Sequence, residues 1–200
     1  GHGATDEMLD LAEQGQLNSA NQRESLAQEL LQTQTSIQNF QEFHGAWLGY
    51  GEIHSNHNLK ADFELETNKL IEQVNFVEKT DWLSIFNSPK TYVTPKLAQH
   101  YGMGSVSQAR WVNTQGDKQS GILSHASFAM VGRKFNDTSP TLRGYEVYKR
   151  LYCGEFNIPL PANVDVTEAP GNPNDCKTDR YAMRGIASCA GCHSITYGIG

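Results

Sequence analysis

The chain closes on Ser188-Cys189-Ala190-Gly191-Cys192-His193-Ser194, which places two of its four cysteines beside a histidine within the last dozen residues. Two cysteines three apart on a helical turn can form thioethers to the two vinyl groups of one haem. The histidine that follows then lies under the iron as an axial ligand. The spacing matters because the porphyrin is a rigid plate, so both sulfurs and the imidazole must reach it from one turn. Small Ala190 and Gly191 let the backbone lie close against the ring. The motif predicts one covalent haem c, attached through Cys189 and Cys192, with His193 on the iron. Two other chemistries use similar residues. A thioredoxin-like redox pair opens a helix after a strand, whereas here a helix is expected before the motif. A zinc site built from Cys153, Cys176, Cys189 and Cys192 would have intervals of 22, 12 and 2 residues, unlike the paired short spacings of zinc modules.

A second axial ligand, if the protein supplies it, is expected upstream, because seven residues follow His193. The candidates are Met183, Met130, Met103 and His125. Met183, six residues before Cys189 on the expected preceding helix, is the first choice and Met130 the second. Met103 between two glycines reads as a loop residue, and His125 as a helix cap or a packed ring. Arg184 is the leading partner for a haem propionate, ahead of Arg143 and Arg180, since a guanidinium grips a carboxylate with two parallel bonds. Tyr145, Tyr148, Tyr152, Tyr181 and Tyr197 crowd the same half and read as amphipathic core or pocket lining. The remaining cysteines, Cys153 and Cys176, flank a proline-rich connector that a disulfide would staple. Haem c attachment and a disulfide both point away from the reducing cytosol, to the periplasm or beyond the cell.

The elements that must position these groups are mostly helical. Met8, Leu9 and Leu11 open a short amphipathic segment that Gly15 ends. Asn18-Ser19 caps a second, with Leu26, Leu30 and Leu31 at helical spacing. A third carries Ile37, Phe40, Phe43, Trp47 and Leu48 and stops at Gly49 and Gly51. The pattern repeats over 58–77 through Phe63, Leu65, Leu70, Ile71, Val74 and Phe76. Asp62-x-Glu64-x-Glu66 within it reads as a solvated stretch rather than a metal site. Shorter helices are expected over 82–86 and 95–101, the latter with Thr94 as cap and Pro95 in the first turn. Residues 102–119 read as a loop or a short hairpin around Trp111-Val112, and helix returns over 121–131. Asp137-Thr138-Ser139-Pro140 starts another helix through Leu142, Tyr145, Val147, Tyr148 and Leu151. An irregular connector over 154–175 leads to a last helix at about 179–187. The expected class is mostly α. A helical domain over 1–104 precedes a cytochrome c-like haem-binding part over 105–200, the two sharing one core.

A net charge of −6 argues against nucleic acid as the main partner, since phosphate backbones are held by clustered Lys and Arg. No apolar run reaches the roughly 20 residues of a membrane-spanning helix. The start at Gly1-His2-Gly3, without an initiator Met or signal peptide, reads as a mature or excised piece of something larger.

Gly121-Ile122-Leu123-Ser124-His125-Ala126-Ser127-Phe128, then Thr138-Ser139-Pro140-Thr141-Leu142-Arg143-Gly144, a proline-rich loop and Cys-x-x-Cys-His together resemble the planctomycete-type cytochrome c modules. Phe43-x-x-x-Trp47-Leu48 and Leu97-Ala98-x-x-Tyr101-Gly102 are similar to the helical domain of unknown function that precedes them. The resemblance covers nearly the whole chain. It implies a secreted or periplasmic monohaem cytochrome module that passes single electrons to a redox partner protein, in a setting of polysaccharide degradation such as a polysaccharide-active oxidase. Two departures stand out. The segment after the motif reads Ile195-Thr196-Tyr197-Gly198-Ile199-Gly200 in place of an Asp-Pro-Ile-Gly-Phe-like stretch, and Met183 stands where many members carry histidine. The alternatives are a peroxidase-like haem enzyme or gas-binding domain with an open distal face, for which His125 or His100 could serve as acid–base group, and a zinc-stabilised or spacer module.

Overall fold

The computed structural model describes residues 3–52, 58–114, 120–131 and 139–155 and, beyond these, 179, 190, 193, 194 and 196. Among the described residues the fold is mostly α, with seven α-helices and one two-stranded sheet.

Local chemistry sets the first three helices. Thr5 accepts from Met8 N to start α1, Asp6–Glu13, and Gly15 leaves it at a φ of 72°. Ser19 and Gln22 form a reciprocal capping box at the head of α2, Ala20–Leu31. Thr33 accepts from Ser36 N to open α3, Gln34–Leu48, which ends at left-handed Gly49. The end of α3 is closed from far along the chain. Arg150 donates Nη1 to Trp47 O at 2.7 Å, and Trp47 Nε1 donates to Arg150 O at 2.9 Å. Glu146 holds the guanidinium at 2.6 Å. A cation over the last carbonyls of a helix also meets the negative end of its dipole. Gly49 is required twice over, because a Cβ there would lie 2.6 Å from the Arg150 guanidinium.

Helix α4, Lys60–Glu72, is the spine. Its inward face carries Phe63, Glu66, Thr67, Leu70 and Ile71 at three- and four-residue spacing, and a π-helical turn, Gln73–Val77, extends it. A 3₁₀ segment, Trp82–Phe86, follows, capped by Asp81. Strand β1, Lys90–Val93, turns Thr91 and Val93 inward. Thr94 and Pro95 start α5, Pro95–His100. Strand β2, Arg110–Asn113, pairs antiparallel with β1, setting Thr91 opposite Val112 and Tyr92 opposite Trp111. A 3₁₀ turn, Ile122–Ser124, precedes α6, Ala126–Ala129. Ser139 and Pro140 open α7, Pro140–Leu151.

Among the described residues the core has two hydrophobic clusters. One gathers Leu48, Leu70, Ile71, Val74, Ile85 and Ile122 with Phe128, Val131 and Val147. The other gathers Leu59, Phe63, Val93, Leu97, Ala98 and Val106. Met130 packs against both. Glu66 and Thr67 occupy the turn of α4 between Phe63 in one cluster and Leu70 in the other, so a polar layer separates them.

Four expectations are corrected. Glu66 is not solvated but 1% exposed. Leu65 and Phe43, counted in the apolar patterns of their helices, are 37% and 58% exposed, because they fall beside the stripes that pack. Trp111-Val112 pairs with the distant β1 rather than closing a local hairpin. The expected helix over 121–131 is broken at His125, whose backbone is extended at φ −66° and ψ 144°. No helix among the described residues is long and apolar enough to cross a membrane.

Candidate functional site

Cys189, Cys192, Met183 and Arg184 lie outside the described residues, as do Cys176 and Arg180. Ala190, His193, Ser194 and Thr196 adopt helical backbone. The His193 side chain is half-buried, and Thr196 is 3% exposed. Met130, the second-choice ligand, caps the end of α6 and packs against both hydrophobic clusters. Met103 follows left-handed Gly102 and packs on the second cluster. Cys153 is exposed with a free thiol in this structure, so the expected staple to Cys176 has no support from its described end. Arg143 is half-buried on α7, where burial pulls its guanidinium below the usual range. Tyr145 and Tyr148 are half-buried on the same helix. Tyr148 stacks on exposed Tyr152 with 6.4 Å between ring centres.

What the structure does assemble is a buried polar cluster. Glu66 projects from α4 into the layer between the hydrophobic clusters. Thr91 of β1 donates to its Oε1 at 2.5 Å, and Tyr101, at the end of α5, donates to its Oε2 at 2.7 Å. The Tyr101 hydroxyl in turn accepts from Ala126 N at 2.9 Å. Thr67, next to Glu66, meets His125 Nδ1 at 3.0 Å and Ser127 Oγ at 2.6 Å, and donates to Phe63 O at 3.3 Å. His125 Nε2 is buried with no hydrogen-bond partner and lies 3.8 Å from Glu66 Oε1. The break in the helix at His125 now has a cause: the extended residue swings its ring off the helix end and into the polar layer. His125 holds the N-cap position of α6, but its side chain makes no capping bond.

Burial dominates the electrostatics. It raises the Glu66 carboxyl to about 7, against the opposing hydrogen bonds of Thr91 and Tyr101. It lowers His125 to about 3. The Tyr101 phenol is pushed up by burial and then by the neighbouring Glu66 charge. His125 is therefore uncharged near neutrality, and its contact with Glu66 is not an ion pair. Sequence reading missed this cluster. A signal was present, since Glu66 sits on the apolar stripe of α4, three residues after Phe63 and four before Leu70.

A second buried histidine is structural. His44 of α3 is fully buried. Trp82 Nε1 donates to its Nε2 at 2.8 Å, and its Nδ1 reaches Phe40 O at 2.7 Å. A ring that accepts on Nε2 must donate from Nδ1, so His44 is neutral, and burial lowers its pKa. Both nitrogens are committed, which leaves none for a metal. Among the described residues no group of three or more His, Cys, Asp or Glu side chains could hold a metal ion.

No curated protein and no solved structure matches the chain. Two family models do. Residues 119–200 match PSCyt3, described as a protein of unknown function (DUF1588), and this segment contains the Cys-x-x-Cys-His motif. Residues 4–103, half of the chain, match PSD4, also described as a protein of unknown function (DUF1592). The chain therefore belongs to the PSD4 family and carries a PSCyt3 segment behind it, the pair that its cytochrome-module resemblance implies.

Proposed function

We propose that this chain is a monohaem c-type cytochrome module that passes single electrons to and from a protein partner outside the cytoplasm. The observation that carries the reading is the match to PSCyt3 over residues 119–200, with Cys189-Ala190-Gly191-Cys192-His193 inside it. The residues present fit the group. Ala190 and His193, within the motif, have helical backbone, the local form that brings residues three apart to one side. The imidazole of His193 is half-buried, as a ligand that screens an iron from water while leaving an edge accessible should be. When bound, haem c supplies a one-electron couple tuned by its axial ligands and its burial.

In this reading Cys189 and Cys192 would hold the haem covalently and His193 would ligate its iron. Met183 would supply a second iron ligand, and Arg184 would grip a propionate. Met130 stays the second choice for the far side, and its packing against both hydrophobic clusters supports a core role instead. The division at 1–104 and 105–200 is supported by the two family matches, and the shared core by a cluster that joins Leu48 and Leu70 to Phe128 and Val147. An acidic surface of net charge −6 favours a basic partner face, with association that weakens as salt rises.

The test is a pyridine haemochrome spectrum with intact mass, on chain matured where haem c is attached. One haem per chain that survives acidified acetone is expected, lost when both Cys189 and Cys192 are replaced by Ala. Colourless matured protein would overturn the reading. Met183→Ala is expected to abolish the sulfur-to-iron charge-transfer band. Rapid, complete binding of carbon monoxide to the reduced parent chain would instead favour an open-faced haem enzyme.

A further inference from the structure

We propose that Glu66 and His125 form a proton-binding site in the core, in which the Glu66 carboxyl carries one proton and offers it to the bare Nε2 of a neutral His125. The hydrogen-bond pattern supports it, with Thr67 donating to Phe63 O. Phe63 O is a carbonyl and only accepts, so the single Thr67 hydroxyl hydrogen is committed to it. Thr67 Oγ1 then receives from both of its other neighbours, Ser127 and His125 Nδ1. A histidine that donates from Nδ1 and is uncharged has a lone pair on Nε2. On the other side, Tyr101 accepts from Ala126 N, so its own hydrogen goes to Glu66 Oε2, and Thr91 donates to Oε1. Without a further proton, the lone pair of Nε2 would face an ionised Oε1 at 3.8 Å, deep in the core and with no cation to compensate. One proton on Glu66 removes the buried charge and turns a lone-pair contact into a donor facing an acceptor.

The charged groups around the site are held elsewhere. Besides burial, the hydrogen bonds of Thr91 and Tyr101 act on the Glu66 carboxyl, and the His100 ring lies against Phe63 and Tyr101. On α4 itself, Asp62 is bound by Thr94 and Lys69 is paired with Glu72 at 2.7 Å. The turn Gln73–Val77 brings no titratable side chain. On α3 the buried ring of His44 is held by Phe40 and Trp82. The proton thus ties α4 to the start of α6, and its loss places an uncompensated charge in that contact. The site is independent of haem and of the electron-transfer reading.

The test compares the 200-residue chain with Glu66→Gln, a neutral isostere that keeps a donor toward His125. In the folded chain Glu66 binds a proton at pH values where the unfolded chain has released it. The ratio of unfolding constants, parent over variant, is therefore expected to rise up to about tenfold per pH unit from pH 4.5 towards 7, then level off. His125 is present in both proteins and cancels. A ratio flat across that range would overturn the proposal. A second measurement covers the case in which Glu66→Gln does not fold. The parent chain near pH 6 is expected to show the infrared carbonyl stretch of a protonated buried carboxyl, and nitrogen NMR a His125 ring protonated on Nδ1 alone. An absent band or a doubly protonated ring overturns it.

Discussion

At Gly121 the backbone stands at φ 72° and ψ 175°, a combination that L side chains rarely adopt. A Cβ there would also sit 2.1 Å from Phe86 O and 2.8 Å from Asn87 N. Those atoms are backbone and cannot swing aside. Gly121→Ala is therefore expected to cost about 3 kcal/mol or more, read as a shift of the denaturation midpoint, and a loss under about 1 kcal/mol would mean that the two loops are not in contact. Single residues of this kind are partly legible in a sequence. Gly49 and Gly15 announced themselves as helix ends because they follow apolar periodicity. Gly121 and Glu66 did not, because the partners that fix their roles, Phe86 and Tyr101, lie 35 residues away in each case. The Cys189-x-x-Cys192-His193 motif was legible because all its chemistry is local.

Helix ends are the best-specified elements here, and α5 shows how an end can also fasten a neighbour. Thr94 Oγ1 accepts from Leu97 N at 3.2 Å and donates to Asp62 Oδ1 of α4 at 2.5 Å. A cap is worth about 1 kcal/mol, and a bond to a charged acceptor slightly more. Thr94→Ala should then lose roughly 2 kcal/mol in chemical denaturation while Thr94→Ser keeps most of it, since the hydroxyl carries both bonds. Equal losses in the two variants would move the effect from the hydroxyl to the methyl group. The caps Ser19, Thr94 and Ser139 were readable because a cap is a three-residue relation. Strand β1 was not, because four residues give too little alternation and its partner β2 lies beyond α5. Nor was the break at His125, where a buried hydrogen bond to Thr67 overrides a helical pattern.

At the scale of the whole molecule, three buried side chains among the described residues set opposing slopes of stability against pH. Glu66 has its folded pKa raised from 4.5 to about 7. Its contribution is complete below the unfolded value and is lost as pH rises towards 7. His125, lowered from 6.5 to about 3, and His44, also lowered, act in the opposite sense. The unfolded chain takes up protons on both rings as pH falls through 6.5, so stability drops on the acid side. Between pH 4.5 and 6.5 the opposing slopes of His125 and Glu66 nearly cancel and His44 tips the balance to a rise; between 6.5 and 7 only Glu66 is left. Calorimetric melting is therefore expected to peak close to pH 6.5, fall in acid and fall slightly towards pH 7. In Glu66→Gln the alkaline fall disappears and the acid fall steepens, because the opposing carboxyl is gone. A melting temperature that climbs steadily to pH 8 in the parent chain would show the Glu66 carboxyl ionised within the fold. The polar layer between the clusters would then hold a charge instead of a proton.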